Sequence, residues 1–309
     1  MSTFKEVLEG LATHRRLRPH QTKLLSGLGS AELEELRSVW ARLPDPERMT
    51  LLATLRHQSE EDALVDFDAV FEMAMGDPNA DLRRLAVGAV ENSRSTRLLP
   101  RLLDLCAHDP DEMVRGAAAE RLAGFAYEAE VGQFSEREAR EIETVLLQRA
   151  SSETETLMVR AAALASAGYF STEAVRDEVR RALTRPGLRV AAVRAIGRNC
   201  DPMWTETLAE QMGSGDAAVR REAAVAAADY EGCIEALSEL VDDPDMSVRL
   251  AAISSLGKLG GPEARDVLVY CYESSDPAIK KAATDALREI DEEEDPLGSV
   301  GYGEENDDE

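Results

Sequence analysis

The sequence predicts an all-α fold of the α-α superhelix kind, a solenoid of stacked helical pairs, and three observations carry that prediction. One pattern is written seven times, as NADLRRLA, DEMVRGAA, TETLMVRAAA, RPGLRVAA, DAAVRREA, DMSVRLAA and DPAIKKAA, with an aliphatic residue, a cation and then Ala three residues on. The cations are Arg83, Arg115, Arg160, Arg189, Arg220, Arg249 and Lys280, spaced 32, 45, 29, 31, 29 and 31 residues apart, which is the period of helical repeat arrays. Every strong hydrophobic periodicity is near 3.6 and none is near 2. Aromatic residues make up only 5% of the chain while Ala, Leu, Val and Arg abound, as suits helices that pack closely through small side chains.

Taken in order, residues 1–29 read as a basic, partly ordered segment with one short helix, FKEVLEGLA, ahead of the basic HRRLRPHQTK. Residues 30–76 carry helical periodicity without the strong pattern and read as capping helices, because terminal repeats depart from consensus and present a polar outer face. Residues 77–290 hold the solenoid of about seven repeats. With the cation as position i, apolar residues fall at i−1, i+3, i+4 and i+7, for example Val248, Ala252, Ile253 and Leu256, which form one core stripe at 100° per residue. Four residues before the cation stand Asn79, Asp111, Thr156, Asp216, Asp245 and Asp276, helix N-caps that accept from the free amides of the first turn. The remaining repeat, the fourth, has Arg185 there, followed by Pro186, and should start with a weaker cap. Gly124, Gly168, Gly197 and Gly257 read as left-handed helix stops. The intervening stretches supply the partner helices, among them SEREA with a capping box of Ser135 and Glu138. The 45-residue spacing is assigned to a loop inserted at residues 126–134. Residues 291–309 hold ten acids, no cation and almost no apolar surface, and read as a disordered acidic tail.

The whole body is expected to be continuous, since a repeat array grows by adding units. Its formal net charge of −25 is uneven, +3 over residues 1–29 and −10 over residues 291–309. A field of that sign repels phosphate, so nucleic acid and anionic membranes are disfavoured partners and a protein client, basic or helical, is expected. No uncharged run approaches a membrane span, and no secretory apolar region stands at the N-terminus, so a cytoplasmic location is expected. Cys106, Cys200, Cys233 and Cys271 form no CxxC pair and read as buried free thiols.

No phosphate loop, nucleophile elbow, HExxH or calcium loop occurs, so no catalytic residue, cofactor or metal is assigned and the chain is expected not to be an enzyme. The seven repeat cations lie about 60° from the centre of the core stripe by the helical angle and read as a structural ladder. Positions i+1, i+5 and i+8 face away from the core. There Arg84, Glu120, Val190, Arg194, Arg221, Leu250 and Lys281 are the candidate partner-binding residues, a shallow groove whose middle is small and apolar, with isolated cations to either side.

The repeated DxxVRxxAxxAL(G) unit resembles the HEAT repeats of the phycobilisome-lyase-like class over roughly residues 77–290, and the chain is similar to bacterial HEAT-repeat proteins of this length. That resemblance implies a HEAT-repeat solenoid in which the cation sits on the second helix of each pair, lines the concave side and bonds to turn Asp residues. Asp77, Asp109 and Asp243 stand six residues before their cations and fit that role, whereas Thr154, Leu183, Ser214 and Ser274 hold the same place in the other repeats. Deoxyhypusine hydroxylase, a relative in fold, uses His-Glu pairs for iron, but His14, His20, His57 and His108 are followed by Arg15, Gln21, Gln58 and Asp109. The leading expectation is a non-catalytic protein-interaction scaffold or adaptor with a client on the concave face. The alternatives are a lyase-like or chaperone-like subunit acting on a cofactor-carrying protein, and a repeat-type nucleic-acid binder that the charge disfavours.

Overall fold

The structure is a computed structural model and describes residues 3–15, 17–91, 93 and 95–294. The tail reading at residues 295–309 lies outside the described residues. The chain divides into two compact units, Met1–Ala167 and Gly168–Glu309, where one continuous body is expected from the repeat pattern. Every described element is helical, and no strand occurs among the described residues.

The first unit holds α1 (Phe4–Ala12), α2 (Pro19–Thr22), α3 (Ser30–Trp40), α4 (Asp45–Glu61), α5 (Asp68–Ala74), α6 (Ala80–Ala89), α7 (Leu99–His108), α8 (Glu112–Glu130), α9 (Glu136–Ser151) and α10 (Leu157–Ala167). The second unit holds α11 (Glu173–Leu183), α12 (Arg189–Asn199), α13 (Thr205–Met212), α14 (Ala217–Ala226), α15 (Ile234–Leu240), α16 (Met246–Leu259), α17 (Gly261–Tyr272) and α18 (Pro277–Glu294). From α5 onward the helices pair in order, and the second member of each pair stacks on the second member of the next: α4, α6, α8 and α10 in one unit, α12, α14, α16 and α18 in the other. The core stripe is the reason. Val248, Ala252, Ile253 and Leu256 are fully buried, and burial of the Val, Ile and Leu side chains contributes about 1.5–3 kcal/mol each.

Helix starts follow the local chemistry. Asn79, Asp111, Asp216 and Asp245 each accept a first-turn amide, as does Asp276 from Ala278 at 2.8 Å. Thr156 does not cap, because its buried hydroxyl has no partner and its own amide donates instead to Glu155. The repeat without a capping side chain starts through a 3-10 turn, Pro186–Leu188. Ser135 and Glu138 form their reciprocal box.

Three expectations are corrected. Residues 126–130 are not a loop but the last turns of α8, which ends only where Gly132 takes φ +80° and its amide and that of Gln133 close on Ala129 and Glu128. Gly124, Gly197 and Gly257 lie inside helices, Gly168 follows directly on the end of α10, and none of the four is left-handed. In the second unit three of them are contact points instead. A Cβ on Gly168, Gly197 or Gly257 would stand 2.8 Å from the Cβ of Ala195, Ala226 or Ala286, so each glycine lets the next second helix lie against backbone. The acidic stretch does not begin as a tail, since α18 continues through Asp291 to Glu294.

Candidate functional site

Each second helix begins beside the turn that joins it to its partner, and there the repeat cations meet the turns. Arg83 is buried and donates through Nε and Nη2 to both carboxylate oxygens of Asp109, each at 2.7 Å, and through Nη1 to the carbonyl of Asp77 at 2.9 Å. Arg115 repeats this with Glu155 at 2.7 and 2.8 Å and the carbonyl of Asp109 at 2.7 Å. Arg220 does so with Asp243 at 2.7 and 2.9 Å and the carbonyl of Ser214 at 2.8 Å. Bidentate guanidinium–carboxylate pairs are the strong members of the hydrogen-bond family. A turn aspartate therefore serves two repeats, its side chain holding the cation of the repeat before it and its carbonyl the cation of its own.

The rungs reach further than the sequence pattern. Arg48 on α4 pairs with Asp77 and Asp45, and the indole of Trp40 donates to Asp77 at 2.7 Å. Sequence reasoning missed Arg48 because its repeat lacks the surrounding pattern. It missed Glu155 because a glutamate two residues before its helix does the work of an aspartate three before. Elsewhere the rungs are weaker. Arg160 is buried with one bond, from Nε to the carbonyl of Ala150 at 3.1 Å, and its Nη2 has no partner. Arg189 donates to the carbonyl of Leu183 at 3.1 Å. Arg249 reaches the carbonyl of Asp243 at 3.1 Å, and Lys280 stands over the ring of Tyr272, 4.8 Å from its centroid.

The Arg220 bond holds Asp243 below the usual carboxylate range, and the Arg115 bond does the same for Glu155. Burial pushes the thiols of Cys106 and Cys271 up to about 12 and about 11, so neither is a nucleophile at neutral pH. Cys200 is exposed, contrary to the expectation of four buried thiols.

The candidate partner-binding residues do not form one uniform row. Arg84, Glu120, Arg221 and Lys281 are exposed, and Val190 and Leu250 are half-buried. Arg194 is not an isolated cation, because it grips the buried Glu222 with bonds of 2.7 and 2.9 Å between α12 and α14. The small middle of the face is partly covered too: Gly116 is buried, with Met158 where a Cβ would stand, and Ala165 is buried as well.

One cleft of the first unit was not among these candidates. α8 has 19 residues against 10 in α6 and 11 in α10, so its final turns extend past both neighbours. That overhang and the turn after α6 enclose a cleft of about 780 Å³ lined by Arg121, Phe125, Tyr127, Glu128, Val131 and Phe134, with Glu91, Ser93 and Thr96 opposite. Its size is that of clefts that hold ligand groups, roughly 300–1,000 Å³. Phe125 and Phe134 meet at 6.1 Å with planes at 51°, forming the apolar floor, while Tyr127 and Val131 are exposed at the mouth. The signal available in the sequence was the string AYEAEVGQF, where only Gly132 and the residues beside it oppose a helix. No group of three or more His, Cys, Asp and Glu residues is placed to hold a metal among the described residues.

The family model for HEAT repeats matches residues 67–137 and 234–296. Both stretches are HEAT repeats. They take in α5 to α8 in the first unit and α15 to α18 in the second, so the fold is all-α and built of HEAT repeats. No curated protein matches the sequence. Among solved structures, the HEAT-repeat chain is similar to importin beta at 14% identity and a TM-score of 0.52, over 93% of this chain and 46% of that one. The chain thus spans about half the length of importin beta. It is also similar to the complex of CpcE and CpcF of phycocyanin lyase from Nostoc sp. PCC7120, at 20% identity and a TM-score of 0.46 over 89% of this chain and 94% of that one. A third likeness is to human deoxyhypusine hydroxylase, at 17% identity and a TM-score of 0.36 over 84% of this chain and 96% of that one. Such identities speak to the fold alone, since function resides in sites and not in folds. No helix of the described residues is long and apolar enough to cross a membrane.

Proposed function

We propose that this chain is a non-catalytic HEAT-repeat scaffold of a bacterial cytoplasm, which docks a protein client against the second helices of the first unit with an apolar anchor in the α8 cleft. The observation that supports this reading is the overhang itself. Tyr127 and Val131 are about half exposed at 53% and 51%, in a chain with few aromatics. Anchors of this type, an aromatic or aliphatic group in a pocket ringed by polar residues, carry most of the energy of protein interfaces. Glu91 and Glu128 at the rim outnumber Arg121, and together with the net charge of −25 they favour a client segment with basic flanks.

The test is capture of clients from the native cell by the full chain and by the double variant Tyr127→Ala, Val131→Glu, with mass spectrometry and circular dichroism on both. The expected result is a client retained by the unaltered chain and lost by the variant at unchanged helicity. An identical set of clients for both proteins removes the cleft from the proposal.

A further inference from the structure

Arg83, Arg115 and Arg220 hold their carboxylates in one pose. Each gives Nη1 to a carbonyl of its own turn and the edge formed by Nε and Nη2 to a carboxylate of the next. Arg249 on α16 starts in the same way, with Nη1 on the carbonyl of Asp243 at 3.1 Å. Its other edge ends differently. Nε is buried and has no partner among the described residues, and Nη2 reaches the thioether of Met246 at 3.5 Å, a weak acceptor. The carboxylate of Asp243 does not serve, because Arg220 takes both of its oxygens.

One residue accounts for this. The turn ahead of α18 has Ser274 where the turn ahead of α16 has Asp243, each six residues before its cation. Both side chains accept the amide two residues on, from Asp276 at 3.2 Å and from Asp245 at 2.8 Å, so the serine keeps the turn and drops the carboxylate. Arg189 faces a similar lack, since Ser214 stands in the next turn, but its Nε is occupied by the carbonyl of Leu183.

Arg249 and Ser274 line one recess of about 470 Å³, a volume within the range of sites that hold ligand groups. Arg249 is the only cation among the described residues that line it, and Asp242, Glu273 and Asp276 are the acids. Asp276 is engaged as the N-cap of α18, while Asp242 and Glu273 are exposed. A free anion is repelled by these acids, yet the buried edge of the guanidinium still lacks a counter-charge. A carboxylate flanked by cations meets both conditions. The ring of Tyr270, 60% exposed at the same recess, adds a surface over which a flanking cation can lie.

We infer that this recess binds a polypeptide carboxylate, an Asp or Glu with Lys or Arg on either side, which takes on Arg249 the place that Asp243 takes on Arg220. The recess belongs to the second unit and the α8 cleft to the first, so the inference stands whether or not the client reading does.

Two pentapeptides test it, each acetylated and amidated, with a pair of lysines on either side of a central Asp in one and a central Asn in the other. They are titrated into the full chain at about 0.15 M salt, where exposed charges act over ~8 Å, with binding followed by NMR of the peptide. The Asn peptide carries one more net positive charge, so attraction through the field of a chain of net charge −25 favours it. The Asp peptide should nonetheless bind about tenfold more tightly, as a bidentate charge-assisted pair allows. Ser274→Asp, which supplies the carboxylate from within the chain, should abolish that preference at unchanged helicity. Arg249→Gln, which keeps a donor for the carbonyl of Asp243 but not the charge, should abolish it too. Equal or tighter binding of the Asn peptide to the unaltered chain overturns the inference, and so does a preference for Asp that survives in either variant.

Discussion

A single carboxylate decides how two repeats are joined. Asp109 accepts both arms of the Arg83 guanidinium, and both side chains are buried. Asp109→Ala leaves that cation without its counter-charge, a loss of about 3 kcal/mol in the range for broken buried pairs. Asp81→Ala is the control, because Asp81 meets Arg84 at 3.6 Å in solvent and such pairs contribute roughly 0.5 kcal/mol. Urea midpoints of the two variants should separate accordingly. Acid should act on the same bonds. The Arg220 bond lowers Asp243 below its ordinary value of 3.8, and the Arg115 bond lowers Glu155 below its ordinary 4.5. Groups depressed in the folded state add stability above their ordinary values and lose it as pH falls through the folded ones. Stability should therefore hold from neutral pH down to about 5 and decline below the ordinary carboxylate values. Asp243→Asn should flatten part of that decline, as read by thermal melts across acid pH.

At the scale of the helix, glycine placement separates two physical roles that look alike in sequence. Gly197→Ala gains about 1 kcal/mol of helix propensity but puts a Cβ 2.8 Å from Ala226, and overpacking costs about 1–3 kcal/mol. A net loss is expected. Gly88→Ala in α6 meets only the end of the Arg56 side chain at 3.7 Å and should gain roughly 0.5–1 kcal/mol. Denaturant midpoints moving in opposite directions would bear out the distinction. This is also where the sequence was least legible. Caps such as Asp111 and Asp245 are local, so pattern alone located them. Gly197 is explained only by an alanine in the next repeat, a contact across the chain that no window of residues contains. The same holds for Arg83 with Asp109, and for the α8 overhang, where a uniform repeat length made extra residues read as a loop. The cleft followed from that extension and so was not visible either.

At the scale of the molecule, the chain has two units and two tryptophans, one in each: Trp40 in the first and Trp204 in the second, both buried. Each unit has its own bidentate rungs, Arg83 with Asp109 and Arg115 with Glu155 in one, Arg220 with Asp243 in the other. The cations nearest the division, Arg160 and Arg189, hold no carboxylate bond of that kind. Neighbour coupling sets cooperativity in repeat proteins, so the two units should unfold separately. Single-tryptophan variants, Trp40→Phe and Trp204→Phe, should report different denaturant midpoints by fluorescence, and coincident curves would show one cooperative block. The shared carboxylates carry a further implication, for the gene. Excision of the codons for residues 77–108 would bring Asp109 to Arg48 in place of Asp77, and the Asp109 carbonyl already faces Arg115. The buried rung stays matched across that seam, so a copy can be lost or duplicated there without orphaning the buried Arg48. A cut through Glu155 has no such replacement, because the next cation takes a plain carbonyl instead. Variation in array length among descendants should therefore concentrate ahead of Asp109 and spare the stretch that follows Arg115.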